Sequence, residues 1–265
     1  MNASEYDRMF ENEDHYWWFV SRRELIVDQV GRLPLSADAR LLDVGCGTGA
    51  IAVALRRFGR VFGVDASPLA LERCERRGLT EVVLGSAESL PVDDDSVDVI
   101  VAADILEHLD DDLAALAEFH RTLKPGGHAV IAVPAYQALW SEHDVALMHK
   151  RRYVAEELRR RVEQAGLRPI VLTYALSFLL PMALTRLLRR KPPAHGAAPQ
   201  AQLIPVPAVL NAALIRFQRL ETALLRWVRL PWGLTVLAVV RKPEPDATST
   251  RHLPAPHVVP VSQRV

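Results

Sequence analysis

Cysteine is nearly missing from this 265-residue chain. Cys46 and Cys74 are the only two, they share no metal-ligand spacing, and nothing in their placement calls for a disulfide. Such usage fits a reducing cytoplasm. Net charge is missing too, at +0, which argues against a general nucleic-acid binder working through a basic surface. Residues 1–15 are polar and acidic and lack the apolar core of a signal peptide, so no export is expected. The uncharged run through strand six reaches Thr185, but Pro181 breaks it and its first part reads as sheet, so no transmembrane span is expected. What the chain does have is 49% hydrophobic residues, enough to bury one substantial core as a single domain carrying an insertion.

The organising stretch is residues 40–49, R-L-L-D-V-G-C-G-T-G. Leu41, Leu42 and Val44 lead into Gly45, Gly47 and Gly49, and an apolar helical pattern (Ile51, Ala52, Ala54, Leu55) follows at once. The pattern predicts strand, tight turn and helix. Glycines tolerate positive φ and let a ligand lie against the main chain, while the helix aims its free N–H groups at the same spot. Asp43 stands inside the turn, where a carboxylate repels pyrophosphate and suits a cationic ligand. A second apolar strand, residues 60–64, ends in Asp65, placed to accept both hydroxyls of a ribose. A dinucleotide-binding Rossmann unit is disfavoured, because the spacing is G-x-G-x-G rather than G-x-G-x-x-G.

These residues resemble the class I methyltransferases that use S-adenosylmethionine, in which L-D-V-G-C-G-T-G is the cofactor loop and an acidic residue closes strand two. The resemblance covers residues 41–174 and 234–242 and lies nearer the quinone and small-molecule enzymes than those acting on nucleic acid. It implies an α/β, Rossmann-like, seven-stranded, mostly parallel sheet with an antiparallel last strand, a helical N-terminal arm and a helical insertion between strands six and seven. It further implies that Asp43, Gly45, Cys46, Gly47, Gly49, Asp65, Ala66, Ala87, Glu88 and Asp104 border S-adenosylmethionine. Ser86 stands where the family often has Asp, which moves the adenine contact to Ala87 or Glu88.

The remaining elements follow in order. Residues 1–35 predict a helical arm whose aromatics, residues 16–19, either plug it onto the core or form a lid, with Tyr16, Trp18, Arg22 and Arg23 reaching the acceptor. Ser67 and Pro68 read as N-cap and N1 of a helix over 67–77. Residues 81–84 and 97–102 read as strands three and four. The acidic run 93–95 reads as a solvated turn, and no metal site is expected. Residues 104–108, D-I-L-E-H, resemble the family's D-x-L-E-H motif, and His108 is a candidate for catalysis or for packing. A helix over 110–123 is followed by an L-K-P-G-G turn and strand five over 128–133.

Residues 134–153 then place Tyr136, Trp140, His143, His149, Arg151, Arg152 and Tyr153 after strand five, on the ligand-facing edge. Methyl transfer to a hydroxyl needs alignment, water exclusion and a base. His143 or His149 is the candidate base, with Asp144 orienting either. Arg151 and Arg152 either clamp an anionic acceptor or, with Tyr153, pack the helix over 154–165. Strand six is expected over 167–174 and strand seven over 234–241. The insertion between them, about 175–232, is leucine-rich and basic, carrying Arg186, Arg189, Arg190, Lys191, Arg216, Arg219 and Arg226. A cap over the acceptor, contact with a membrane surface and a homodimer interface are its three readings. Residues 243–265 read as a disordered tail. The expected function is O-methylation of a small hydrophobic or anionic acceptor. C- or N-transfer, or a non-catalytic cofactor-binding module, is the alternative.

Overall fold

The computed structural model describes residues 3–188, 203 and 205–245. The expectations for Arg189, Arg190, Lys191, the linker over 192–199 and the tail from 246 onward lie outside the described residues.

Two arm helices, α1 (Ala3–Asn12) and α2 (Trp17–Val30), precede β1 (Arg40–Val44), α3 (Ala50–Leu55), β2 (Arg60–Asp65), α4 (Pro68–Arg76), β3 (Val82–Leu84) and β4 (Val97–Ala103). Next come α5 (Asp112–Thr122), β5 (Leu123–Pro134), the short α6 (Glu142–Ala146), α7 (Ala155–Gln164) and β6 (Arg168–Ala175). The chain continues through α8 (Leu180–Leu188), α9 (Ala208–Leu224) and β7 (Thr235–Arg241). One seven-stranded sheet has the order β3-β2-β1-β4-β5-β7-β6, with β7 antiparallel to both neighbours. Strand order reverses between β1 and β4. The carboxyl ends of those strands therefore flank a crevice, the place where open α/β sheets bind ligands.

Period-two alternation divides the core between the two sheet faces. Along β4, Ile100 and Ala102 join Leu42, Phe119 and Tyr153 under α5 and α7, whereas Val99 and Val101 join Leu25, Ile26 and Leu55 under α2 and α3. A strand buried on both sides reads as a continuous apolar run, as β4 does.

Three local expectations are corrected. The K-P-G-G segment is not a free turn before strand five: β5 starts at Leu123, paired with Val97, and the ladder shifts register before Val99. Gly126 and Gly127 exchange backbone hydrogen bonds with Lys242, so the segment is held as an extension of the sheet. Ser67 occupies the N-cap position of α4 without capping it, because its hydroxyl meets Tyr6 of the arm. The cap of α5 is Asp111, whose Oδ1 accepts from Ala114 N at 3.0 Å, so that helix begins two residues later than expected.

The insertion lies along the arm. Arg219 pairs with Glu24, Arg226 pairs with Asp28, and Asn211 accepts from Trp17 N at 2.8 Å while donating to the His15 carbonyl at 2.8 Å. Glu221 accepts from the backbone N–H groups of Leu176 and Ser177, tying α9 to the end of β6. The two exposed arginine pairs contribute at most about 1 kcal/mol each. Burial of Trp17 with Leu176 and Leu179 supplies the apolar part of the docking. On its outer side α9 exposes Val209, Phe217 and Leu220, and Trp227 beyond its last turn is also exposed. Among the described residues no helix is long and apolar enough to cross a membrane.

Candidate active site

The glycine turn forms the first pole of the crevice. Gly45 has φ +70°, and a Cβ there would meet Ile105 Cδ1 at 2.8 Å, so both its dihedral and its neighbour require glycine. Gly49, at φ +84°, is the N-cap of α3. Asp43 is 2% exposed and its Oδ2 has no hydrogen-bond partner among the described residues. Burial, and then the nearby Asp65 carboxylate, push its pKa up to about 8. An orphaned buried carboxylate oxygen at the end of a strand, beside a glycine turn, fits a cationic ligand.

Asp65 is held by the backbone. Its Oδ2 accepts from Gly47 N and its Oδ1 from Ser67 N, each at 2.9 Å, and each oxygen keeps further lone-pair capacity for a hydroxyl. Cys46 is buried and free, with its sulfur 3.8 Å from that of Cys74. Ala66 is exposed at the rim, and Ala87 is buried. One oxygen of Glu88 accepts from Asp111 N at 3.0 Å, which ties that side chain to the start of α5.

The arm covers this pole. A Cβ on Gly47 would meet Met9 Cε at 2.9 Å. Glu13, also buried, accepts from the Thr48 hydroxyl and, at 3.1 Å, from Arg77. Of the aromatic cluster only Trp17 is buried. Tyr16, Trp18 and Phe19 are half-buried, with Trp18 edge-on to Trp17 at 5.7 Å between ring centroids. Arg23 donates to the Glu13 carbonyl at 2.8 Å and so serves the arm's own turn. Arg22 is 5% exposed and fully engaged: Nε donates to Asp104 Oδ2 at 2.7 Å, Nη2 to Asp104 Oδ1, and Nη1 to the Thr235 hydroxyl. The assignment of Arg22 to an anionic acceptor is corrected by that geometry, because its fork is closed on Asp104, which sits at φ +56°.

The second pole joins the loop after β4 to the loop after β5. Asp144, 0% exposed, is its centre: Oδ1 faces His149 Nδ1 at 2.9 Å and accepts from Arg152 Nε at 2.7 Å, while Oδ2 accepts from Arg152 Nη2 at 3.0 Å and Ser141 N at 2.7 Å. Burial alone would raise its pKa, but the bonds from His149 and Arg152 hold it well below the usual carboxylate range. The ring of His108 lies edge-on to that of His149 at 4.7 Å, and His143 lies 6.5 Å from His149. Burial, then the neighbouring His149, push the pKa of His108 down to about 4, so its imidazole is neutral at physiological pH. His143 sits exposed on α6. The structure thus brings together all three histidines singled out in the sequence, from two separate loops.

The arginines of this pole are bonded within the protein. Arg152 also donates to the Ala135 carbonyl, and Arg151 donates to the carbonyls of Leu109 and Asp110 and faces Asp112 at 3.3 Å. Both are ties between loops, the arrangement of the packing alternative rather than of an anion clamp. Tyr153 is 0% exposed, and its hydroxyl donates to Asp112 at 2.7 Å, so it packs the helix side and cannot touch an acceptor. Tyr136, at φ +60°, stacks on Tyr174 at 5.2 Å, and burial with that neighbour pushes its pKa up to about 12. Trp140 is half-buried after the same loop.

One functional candidate escaped the sequence. Glu107 is 0% exposed, and among the described residues both carboxylate oxygens lack a hydrogen-bond partner. Burial, then Asp104, raise its pKa well above the carboxylate range. Its signal in the sequence is the fourth position of D-I-L-E-H, next to His108.

Comparison with known proteins adds to this geometry. Residues 42–131 match the family model described as a methyltransferase domain. The 27-O-demethylrifamycin SV methyltransferase of Amycolatopsis mediterranei is 30% identical over 183 residues, 60% of this chain and 67% of that protein. A demethylmenaquinone methyltransferase of Chlorobaculum tepidum is 34% identical over 125 residues, 46% of this chain and 50% of that one. The chain spans from 31% to 67% of the length of the first five curated relatives it matches. In fold it is similar to the methyltransferase solved in complex with the Haloferax volcanii Trm112 activator, at TM-score 0.59 and 23% identity over 91% of this chain and 98% of that one. The geranyl diphosphate C-methyltransferase of Streptomyces coelicolor A3(2), solved with S-adenosyl-L-homocysteine, gives TM-score 0.54 at 20% identity, covering 83% and 77%.

Proposed function

The chain belongs to the class I S-adenosylmethionine-dependent methyltransferases, with S-adenosylmethionine as cofactor, and on that premise we propose that it methylates an oxygen of a small hydrophobic or anionic acceptor. The observation that carries the acceptor half is the meeting of His108, His143 and His149 beside the crevice, with Asp144 fixing His149. The residues of the first pole fit the cofactor. The orphaned Asp43 oxygen would offset its positive charge, the turn at Gly45 and Gly47 would let it approach the main chain, and Asp65 would take the ribose hydroxyls.

When bound, the cofactor supplies a methyl carbon made electrophilic by the sulfonium. The chain's own residues then have three tasks. The arm, through Met9, Tyr6 and Glu13, excludes water from the first pole. Arg22 holds Asp104 at the boundary between the poles. The imidazole of His143 or His149 takes the acceptor's proton as the oxygen attacks.

The test is labelled methyl transfer from S-adenosylmethionine into metabolite extracts, followed by single variants. His143→Ala or His149→Ala is expected to lower turnover by about 10²- to 10⁴-fold if that residue is the base, with affinity for S-adenosylhomocysteine kept. Full activity in both variants would remove the base from this pole. Label recovered on carbon or nitrogen would replace O-methylation with the alternative.

A further inference from the structure

We propose that Glu107, His108 and His149 form a site for a divalent first-row transition-metal cation at the acceptor pole. One ligand atom from each of these three residues lies within 4.8 Å of the other two. A tetrahedral cation with bonds of about 2.1 Å needs ligand atoms about 3.4 Å apart, so the three must close by at most about 1.4 Å. Two imidazoles and one carboxylate form a set suited to zinc, cobalt, iron or manganese rather than to magnesium, which prefers oxygen. Three protein ligands leave coordination positions open.

An independent observation points to an occupant. Both oxygens of Glu107 are buried without a hydrogen-bond partner among the described residues, a costly condition for a carboxylate. The arginines facing it are committed elsewhere, Arg22 to Asp104 and Arg152 to Asp144. Neither arginine is left to pair with Glu107, and a metal would be its counter-charge. The histidines are also dressed as ligands. His149 Nδ1 is bound to Asp144, which leaves Nε2 to face the cluster, and one ring nitrogen of His108 meets the Met148 carbonyl. Metal-binding histidines ordinarily carry such partners on the far nitrogen. The backbone closes the pair of loops at the same place, where Lys150 N donates to the Glu107 carbonyl at 2.7 Å.

The sequence predicted no metal, because the ligands come from two loops and no local spacing joins them. The site rests on the methyltransferase reading only for its place beside the acceptor. With His149 bound to a cation, His143 becomes the base.

Cobalt chloride titrated into tag-free, chelator-treated full-length protein tests the site. One equivalent is expected to bind, with visible d–d bands that zinc chloride abolishes. His149→Ala and Glu107→Gln are each expected to weaken uptake at least tenfold while S-adenosylhomocysteine still binds, which certifies the fold. His143→Ala is expected to leave uptake unchanged. Failure to saturate near one equivalent, or uptake indifferent to both His149→Ala and Glu107→Gln, would overturn the site. Methyl transfer is read separately, by the labelled-methyl assay, so cobalt binding without turnover would fault the acceptor reading alone, and turnover without cobalt binding would fault the metal alone.

Discussion

The two poles of the crevice solve different problems with different parts. At the glycine turn the backbone does most of the work: three glycines shape the approach, and Asp65 is fixed by two main-chain N–H groups. At the loops after β4 and β5 the work falls to charged side chains, with Asp144, Arg152 and His149 locked together and Glu107 left unsatisfied beside them. A surface built from main chain tolerates change around it. One built from buried charges fails as a unit when a member is lost.

The most severe way to probe that contrast is Asp144→Ala. It strands Arg152 and the Ser141 N–H in a dry site, and loss of one partner from a buried pair costs about 3 to 5 kcal/mol. Urea unfolding should show it directly. A loss below about 1 kcal/mol would mean that the pole is wet and that its arginine is free to meet a ligand. Next in size is Gly45→Val, which combines a strained positive φ with overlap onto Ile105 and should cost about 2 to 4 kcal/mol. S-adenosylhomocysteine affinity, measured by calorimetry, should fall with it. Asp65→Ala comes third. Affinity for S-adenosylhomocysteine should drop by about 1 to 3 kcal/mol, while the unfolding midpoint moves less than in Asp144→Ala. Equal effects of these two variants on stability would erase the distinction between the poles.

The same contrast explains what could be read from the chain. Strand, glycine turn and helix over 40–55 are local, so their residue order states them, and the apolar run in β7 was visible across the whole insertion. Arg151, Arg152 and Tyr153 were visible as residues but not as roles. Their partners, Leu109, Asp144 and Asp112, become neighbours only when two loops meet at the sheet edge. Glu107 is the same case in reverse: its importance lies in having no partner, a property of the packed state that no spacing records. The docking of α9 on the arm was likewise hidden, because Arg219 and Glu24 belong to opposite ends of the chain.

The smallest effect sharpens the comparison most, because pH can titrate the first pole through Asp43. Its folded pKa of about 8 lies above the ordinary value of 3.8, so the folded chain holds a proton there that the unfolded chain has lost. The sign follows: in the cofactor-free protein this group's contribution to stability is greatest below about pH 4. It falls by about 1.4 kcal/mol per pH unit as pH rises towards 8, then levels off. A cationic ligand favours the charged carboxylate, so binding expels the proton. Affinity for S-adenosylmethionine should therefore rise by up to about tenfold between pH 7 and 9 and flatten above. Asp43→Asn should abolish the slope while keeping the shape of the turn. Calorimetry in buffers of different ionisation enthalpy would count the proton released. A slope that survives in Asp43→Asn would assign the titration to another group and leave the first pole held by its backbone alone.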